Sequence, residues 1–191
     1  MPAFPAWERK VLIIEHKEDI SSNFEGTIID IETIGEFLNE YSDSRRYKDI
    51  QLVIFGFINR RSLQIFCANG IEAISELKEK TEDIIGGLER PFYAFNTEFE
   101  RSVLFYELGK KIGFDGELQK GHESKAKARK RLGIPNYDDP FFDNGYLCMK
   151  TWEVGDFDSA IAHNRACCLK EKDILIKEGF RKPEDLKFVP E

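Results

Sequence analysis

No apolar run in this 191-residue chain approaches the roughly 20 residues needed to span a bilayer. The first ten residues, 1–10, have neither the basic start nor the apolar core of a signal peptide. A cytoplasmic protein with no membrane partner is the expectation. The four cysteines, Cys67, Cys148, Cys167 and Cys168, form no CxxC pair and show no zinc-ligand spacing. They read as free thiols in a reducing compartment, not as a structural zinc site. Internal repeats and low-complexity tracts are missing too. So is any excess of positive charge: a formal net charge of -7 argues against a general electrostatic grip on nucleic acid. A local grip stays open, because Lys120, Lys125, Lys127, Arg129, Lys130 and Arg131 crowd together. Taken alone, that run reads as a solvated helix face.

What the chain does have is packing volume. The hydrophobic fraction is 41% and the aromatic fraction 13%, with 16 Phe residues, which describes a folded chain and not a disordered one. The length fits one domain over 1–191, with 1–25 and 180–191 as extensions.

The hydrophobic pattern predicts a first strand over 10–15 and a polar loop over 16–25. A strand over 27–33 follows, then a hairpin: 49–59 outward, Arg60 and Arg61 as the turn, and 62–68 in return. Ile71, Ile74, Leu77, Ile84 and Ile85 predict an amphipathic helix over 70–85, closed by Gly86 and Gly87. Pro91 opens a short strand over 92–95, ending at Asn96. Thr97 is the expected N-cap of a helix to about Lys111, stopped by Gly113. Residues 114–150 read as irregular structure with one short helix. A last helix runs from near Asp156 to about Glu178 and ends at Gly179, and the tail over 181–191 reads as a surface strap. Together these predict an α/β fold whose mixed sheet contains an antiparallel hairpin and is flanked by helices.

Asp30 and Glu32 are the most informative residues. They lie in a β-branched strand, Ile28-Ile29-Asp30-Ile31-Glu32, and a strand's period of two puts both carboxylates on one face. Two ionised carboxylates side by side in an apolar strand repel each other and are costly to desolvate. A divalent cation relieves both penalties. The alternative is a pair of strand-end carboxylates exposed to water.

Three segments resemble the DEDD exonucleases, the DnaQ-like branch of the ribonuclease H-like superfamily, and most of all its YprB-like predicted exonucleases. Asp30-Ile31-Glu32-Thr33-Ile34-Gly35 is similar to the family's opening Asp-x-Glu-Thr-x-Gly. Phe95-Asn96-Thr97-Glu98-Phe99-Glu100 is similar to its Asn-x-x-Phe-Asp. His163-Asn164-Arg165-Ala166-Cys167 sits where a His or Tyr precedes the last Asp, and Gly155-Asp156 fits the same group. The resemblance spans 27–177 and implies a ribonuclease H-like fold.

It also implies a 3′–5′ exonuclease that hydrolyses phosphodiester bonds of DNA or RNA with two Mg²⁺ or Mn²⁺ ions. Asp30 and Glu32 would be both metal ligands and catalytic, with Glu100 a further ligand. His163 would orient or deprotonate the attacking water. Thr33, Asn96 and Asn164 would line the substrate, a single-stranded 3′ end.

Two departures matter. Glu100 stands where the family has Asp, which keeps the charge on a longer arm. The last acid is replaced, with Cys167 or Cys168 at its place. Glu171, one helical turn beyond Cys167, is the expected substitute ligand; Asp173 lies on another helix face. The competing reading is a catalytically impaired relative that binds nucleic acid or protein. A purely structural domain is the third.

Overall fold

The structure, a computed structural model, describes residues 12–190. The sheet is built around β2 (Thr27–Ile34) and β3 (Gln51–Asn59), whose β-branched and aromatic residues are buried along most of their length. They pair antiparallel, with Asp30 opposite Gly56 and a register shift after Glu32. β4 (Ser62–Ala68) returns from β3 as its hairpin partner. β1 (Ile13–Asp19) closes that edge antiparallel to β4. On the other side β5 (Phe92–Ala94) runs parallel to β2, and β6 (Gly116–Glu117) parallel to β5. The order is β1-β4-β3-β2-β5-β6, a six-stranded mixed sheet.

Five α-helices flank it among the described residues. α1 (Ile74–Gly87) and α2 (Thr97–Leu108) pack together and on β3. α4 (Gly145–Glu153) packs on α5 (Phe157–Glu178), which crosses β2, β3 and β4. α3 (Lys125–Leu132) rests on α5. With both faces covered, β2 and β3 read as near-continuous apolar runs.

Several predicted boundaries shift, each for a local reason. The first strand runs to Asp19, so 16–19 is strand and not loop; Lys10 and Val11 of the predicted strand lie outside the described residues. Its burial alternates because it is an edge strand, and outward charges suit an edge. Asn96, not Thr97, is the N-cap of α2. α2 ends at Leu108 because Gly109 already takes the left-handed conformation, ahead of Gly113. Residues 114–150 hold β6, α3 and the start of α4, more structure than one short helix. The last helix matches its prediction, with the Asp156 carboxylate accepting from the Ser159 N–H and Gly179 as C-cap. The tail does strap the surface: Arg181 bridges Glu117, and the Val189 carbonyl accepts from the Tyr106 hydroxyl at 2.8 Å. No described helix is long and apolar enough to cross a membrane.

Candidate metal centre

Parallel pairing of β2 with β5 sets the site. Thr27 lies opposite Phe92 and Ile28 opposite Tyr93, so the chain leaving β5 arrives beside Asp30 and Glu32. There it turns into α2, which carries Asn96 at its cap and Glu100 in its first turn. α5 crosses above and brings His163, Asn164, Cys167, Lys170 and Glu171 to the same place, all buried. A cleft of about 180 Å³ is lined by Asp30, Glu32, Asn96, Glu100, Lys125, Asp143, His163 and Cys167, among others. Acids 70 residues apart, Asp30 and Glu100, thus face one small space.

Each acid has a different set of partners. Asn164 Nδ2 donates to Asp30 Oδ2 at 2.7 Å and lies 3.5 Å from Glu32 Oε1. Lys125 Nζ donates to Asp30 Oδ1 at 3.0 Å. The same ammonium lies 2.6 Å from Glu171 Oε1. Glu171 is fully buried, with Lys125 and Asp30 as its polar neighbours, and Glu100 Oε2 has no hydrogen-bond partner. His163 Nδ1 is 2.7 Å from Asp139 Oδ1, and its Nε2 faces Glu32 Oε1 at 3.6 Å. Cys167 Sγ sits 3.7 Å from the same Nε2.

Burial dominates the electrostatics. It pushes the Glu32 carboxyl up to about 7, with His163 opposing and Asp30 adding to the rise. Burial and then Asp30 hold Glu100 well above the usual carboxyl range. Glu171 is lifted in the same way, against the pull of Lys125. Burial alone would discharge Lys125, but Asp30, Cys167 and Glu171 outweigh it and keep the ammonium charged. Burial also opposes the charged His163 ring; Cys167, Glu32 and Asp139 overcome it and raise its pKa to about 11. The Cys167 thiol is itself pushed up by burial, so at neutral pH the sulfur is uncharged. Asp139 and Glu32 are then the neighbours that keep the ring protonated.

A second layer supports the first. Lys170 is fully buried, donating to Asp139 Oδ2 at 2.6 Å and to Asp143 Oδ1 at 2.7 Å. Arg129 Nε donates to Asp143 Oδ2 at 3.3 Å. The Asp139 carboxylate also accepts from the backbone N–H of Phe141 and of Asp143. Charge in this layer is therefore paired throughout.

The expected residues are brought together with three differences, since Glu171, Thr33 and Asn164 do not line this cleft. Asp30, Glu32, Glu100, Asn96 and His163 line the cleft, and Glu171 reaches Asp30's neighbourhood through Lys125. Thr33 lines the adjoining cleft of about 570 Å³, which shares Ile31, Glu32, Phe99 and Gly145 with the first. Asn164 is fully buried against β3 and orients Asp30 instead of facing the cleft. The basic run does not form one solvated face: Lys125 points into the site, Arg129 braces Asp143, and Arg131 pairs with Glu123 and Glu178. Asp139 and Lys170 carry more of the site than sequence reasoning assigned them. Asp139 and Asp143 lie in turn-forming stretches, 138–140 and 143–145, and both also pair with Lys170. Trp152 belongs to the core, its indole donating to the Ala68 carbonyl.

No family model, curated protein or solved structure matches this chain. What the site can do follows from its own atoms. Three donor sets among the described residues lie within 4.8 Å: Asp30–Glu32–Cys167, Glu32–Cys148–His163 and Asp139–His163–Cys167. Buried acidic, histidine and cysteine groups of this kind can hold a metal ion. The first set fits one: its two acids come from one strand face, and Glu100, whose Oε2 has no protein partner, lines the same cleft.

Proposed function

We propose that the protein is a divalent-metal-dependent nuclease, a 3′–5′ exonuclease acting on single-stranded DNA or RNA ends. The observation that carries this reading is the shared cleft of Asp30, Glu32, Glu100 and His163, drawn from three distant segments. These are the segments that resemble the DEDD exonucleases. The sheet order, with β2–β4 antiparallel and β5 and β6 parallel to β2, is compatible with a ribonuclease H-like fold carrying an added edge strand.

Asp30 and Glu32 would hold Mg²⁺ or Mn²⁺, with Glu100 completing the oxygen ligands that such hard ions favour. The chemistry a bound cation supplies is polarisation of the phosphodiester and neutralisation of charge as its bond breaks. His163, oriented through Nδ1 by Asp139, would hold or pass a proton at Nε2. The larger adjoining cleft, with Thr33, Phe37 and Tyr146 in its wall, has room for a nucleotide and aromatic side chains for a base.

The test is cleavage of an end-labelled single-stranded oligonucleotide in Mn²⁺ or Mg²⁺. Stepwise shortening from the 3′ end is expected, and Asp30→Asn should abolish it. A second reading, a non-catalytic relative that binds nucleic acid or protein, is favoured by the Lys125–Asp30 ion pair and by Cys167 at the place of the last acid. It predicts oligonucleotide binding without cleavage across several divalent metals.

A further inference from the structure

Lys125 is the feature that the chemistry above does not use. It opens α3 behind the N-cap Ser124, in a run of eight residues of which Ala128 is the buried one. Nothing in that polar segment requires an inward lysine. Yet its side chain is 16% exposed, with Nζ between Asp30 Oδ1 at 3.0 Å and Glu171 Oε1 at 2.6 Å, and 5.5 Å over the Phe95 ring. Glu171 is the acid that would stand in for the missing last ligand, and Asp30 is its other polar neighbour.

Charge and distance make the point. Asp30 presents two oxygens with different neighbours: Oδ1 to Lys125, Oδ2 to the Asn164 amide. In the two-ion site that the resemblance implies, Asp30 and the last acid would hold the second ion. Here an ammonium already joins Asp30 to Glu171. Glu32 and Glu100 line the cleft with Asp30, and Glu100 Oε2 is buried without a partner. These carboxyl groups outnumber the one imidazole that faces Glu32, His163 at 3.6 Å.

We infer that Lys125 is a tethered counter-ion standing where a second metal would lie, so that the site takes a single divalent cation at Asp30, Glu32 and Glu100. The inference rests on the metal-site reading above and narrows it from two ions to one.

Counting bound Mn²⁺ on the full chain by electron paramagnetic resonance tests this. The wild type should bind one ion and Lys125→Met two, the second being lost again in Lys125→Met combined with Glu171→Gln. Two ions on the wild type, or one on a folded Lys125→Met, overturn the inference and leave the metal site standing. No ion on either protein removes the metal site itself, and the inference with it. Glu171→Gln alone, which removes a buried charge and keeps its shape, serves if Lys125→Met does not fold. Its Mn²⁺ affinity should stay within about threefold of wild type, whereas a loss on the order of tenfold or more makes Glu171 a ligand and overturns the inference.

Discussion

Asn164 and Asp30, 134 residues apart in the chain, are joined by a 2.7 Å hydrogen bond from amide to carboxylate. The contact is possible because the β3 residue opposite Asp30 is Gly56: a Cβ there would lie 2.0 Å from Asn164 Oδ1. A missing side chain on one strand thus lets α5 come close enough to aim an acid on the next. Gly56→Ala should cost about 1–3 kcal/mol by overpacking. In an Asn164→Ala background the cost should shrink, and urea unfolding of the double-mutant cycle reads the coupling. Equal costs in both backgrounds would deny the contact.

Lys170 is the counterpart on the other side of the site. With the Asp139 and Asp143 carboxylates both buried against it, Lys170→Met should destabilise by about 3–5 kcal/mol, since it takes a buried cation from two carboxylates and leaves Asp139 with His163 and Asp143 with Arg129. Urea unfolding measures this. Arg131→Ala, which breaks exposed pairs with Glu123 and Glu178, should cause no comparable loss.

Between pH 5.5 and 8 the pH dependence has one sign. Glu32 has a folded pKa of about 7 against an ordinary 4.5, so ionising it costs the folded state as pH rises through that window. Glu100 and Glu171 are raised in the same direction. His163, raised from 6.5 to about 11, adds stability that is full below 6.5 and is lost as pH climbs toward 11. Metal-free protein should therefore be less stable at pH 8 than at pH 5.5. A cation that needs the acids ionised displaces protons, so Mn²⁺ should raise the melting temperature more at pH 8 than at pH 5.5. Thermal denaturation at the two pH values, with and without Mn²⁺, checks both statements.

Cys167→Asp places a carboxylate within the Asp30–Glu32 donor set. Combined with Lys125→Met, it should raise Mn²⁺ affinity on the order of tenfold over wild type, because a hard ion gains an oxygen ligand and loses a competing ammonium. Calorimetric titration reads this directly. If cleavage is undetectable in the wild type and appears in the double variant, the impaired-relative reading is favoured.

Much of this was legible in the chain. The period-two placement of Asp30 and Glu32, the 62–68 hairpin return and the caps of α5 are local signals, and each appears in the structure as expected. What could not be read is directional. α3 is so polar that periodicity gives no inward face, so Lys125 looked like one of several solvated cations. Asp139 sits in a Pro-containing loop with left-handed residues at Tyr137 and Asp138, where turn chemistry explains an aspartate without any partner. Only the tertiary approach of α5 turns it into the partner of His163 and Lys170. The β1 boundary was missed for a similar reason, since an edge strand needs only one partly covered face.

The most direct measurement is anomalous diffraction from crystals of the full chain soaked in Mn²⁺. A peak about 2.0–2.3 Å from carboxylate oxygens of both Asp30 and Glu32 is predicted. Well-ordered density for both side chains with no anomalous peak between them would contradict it.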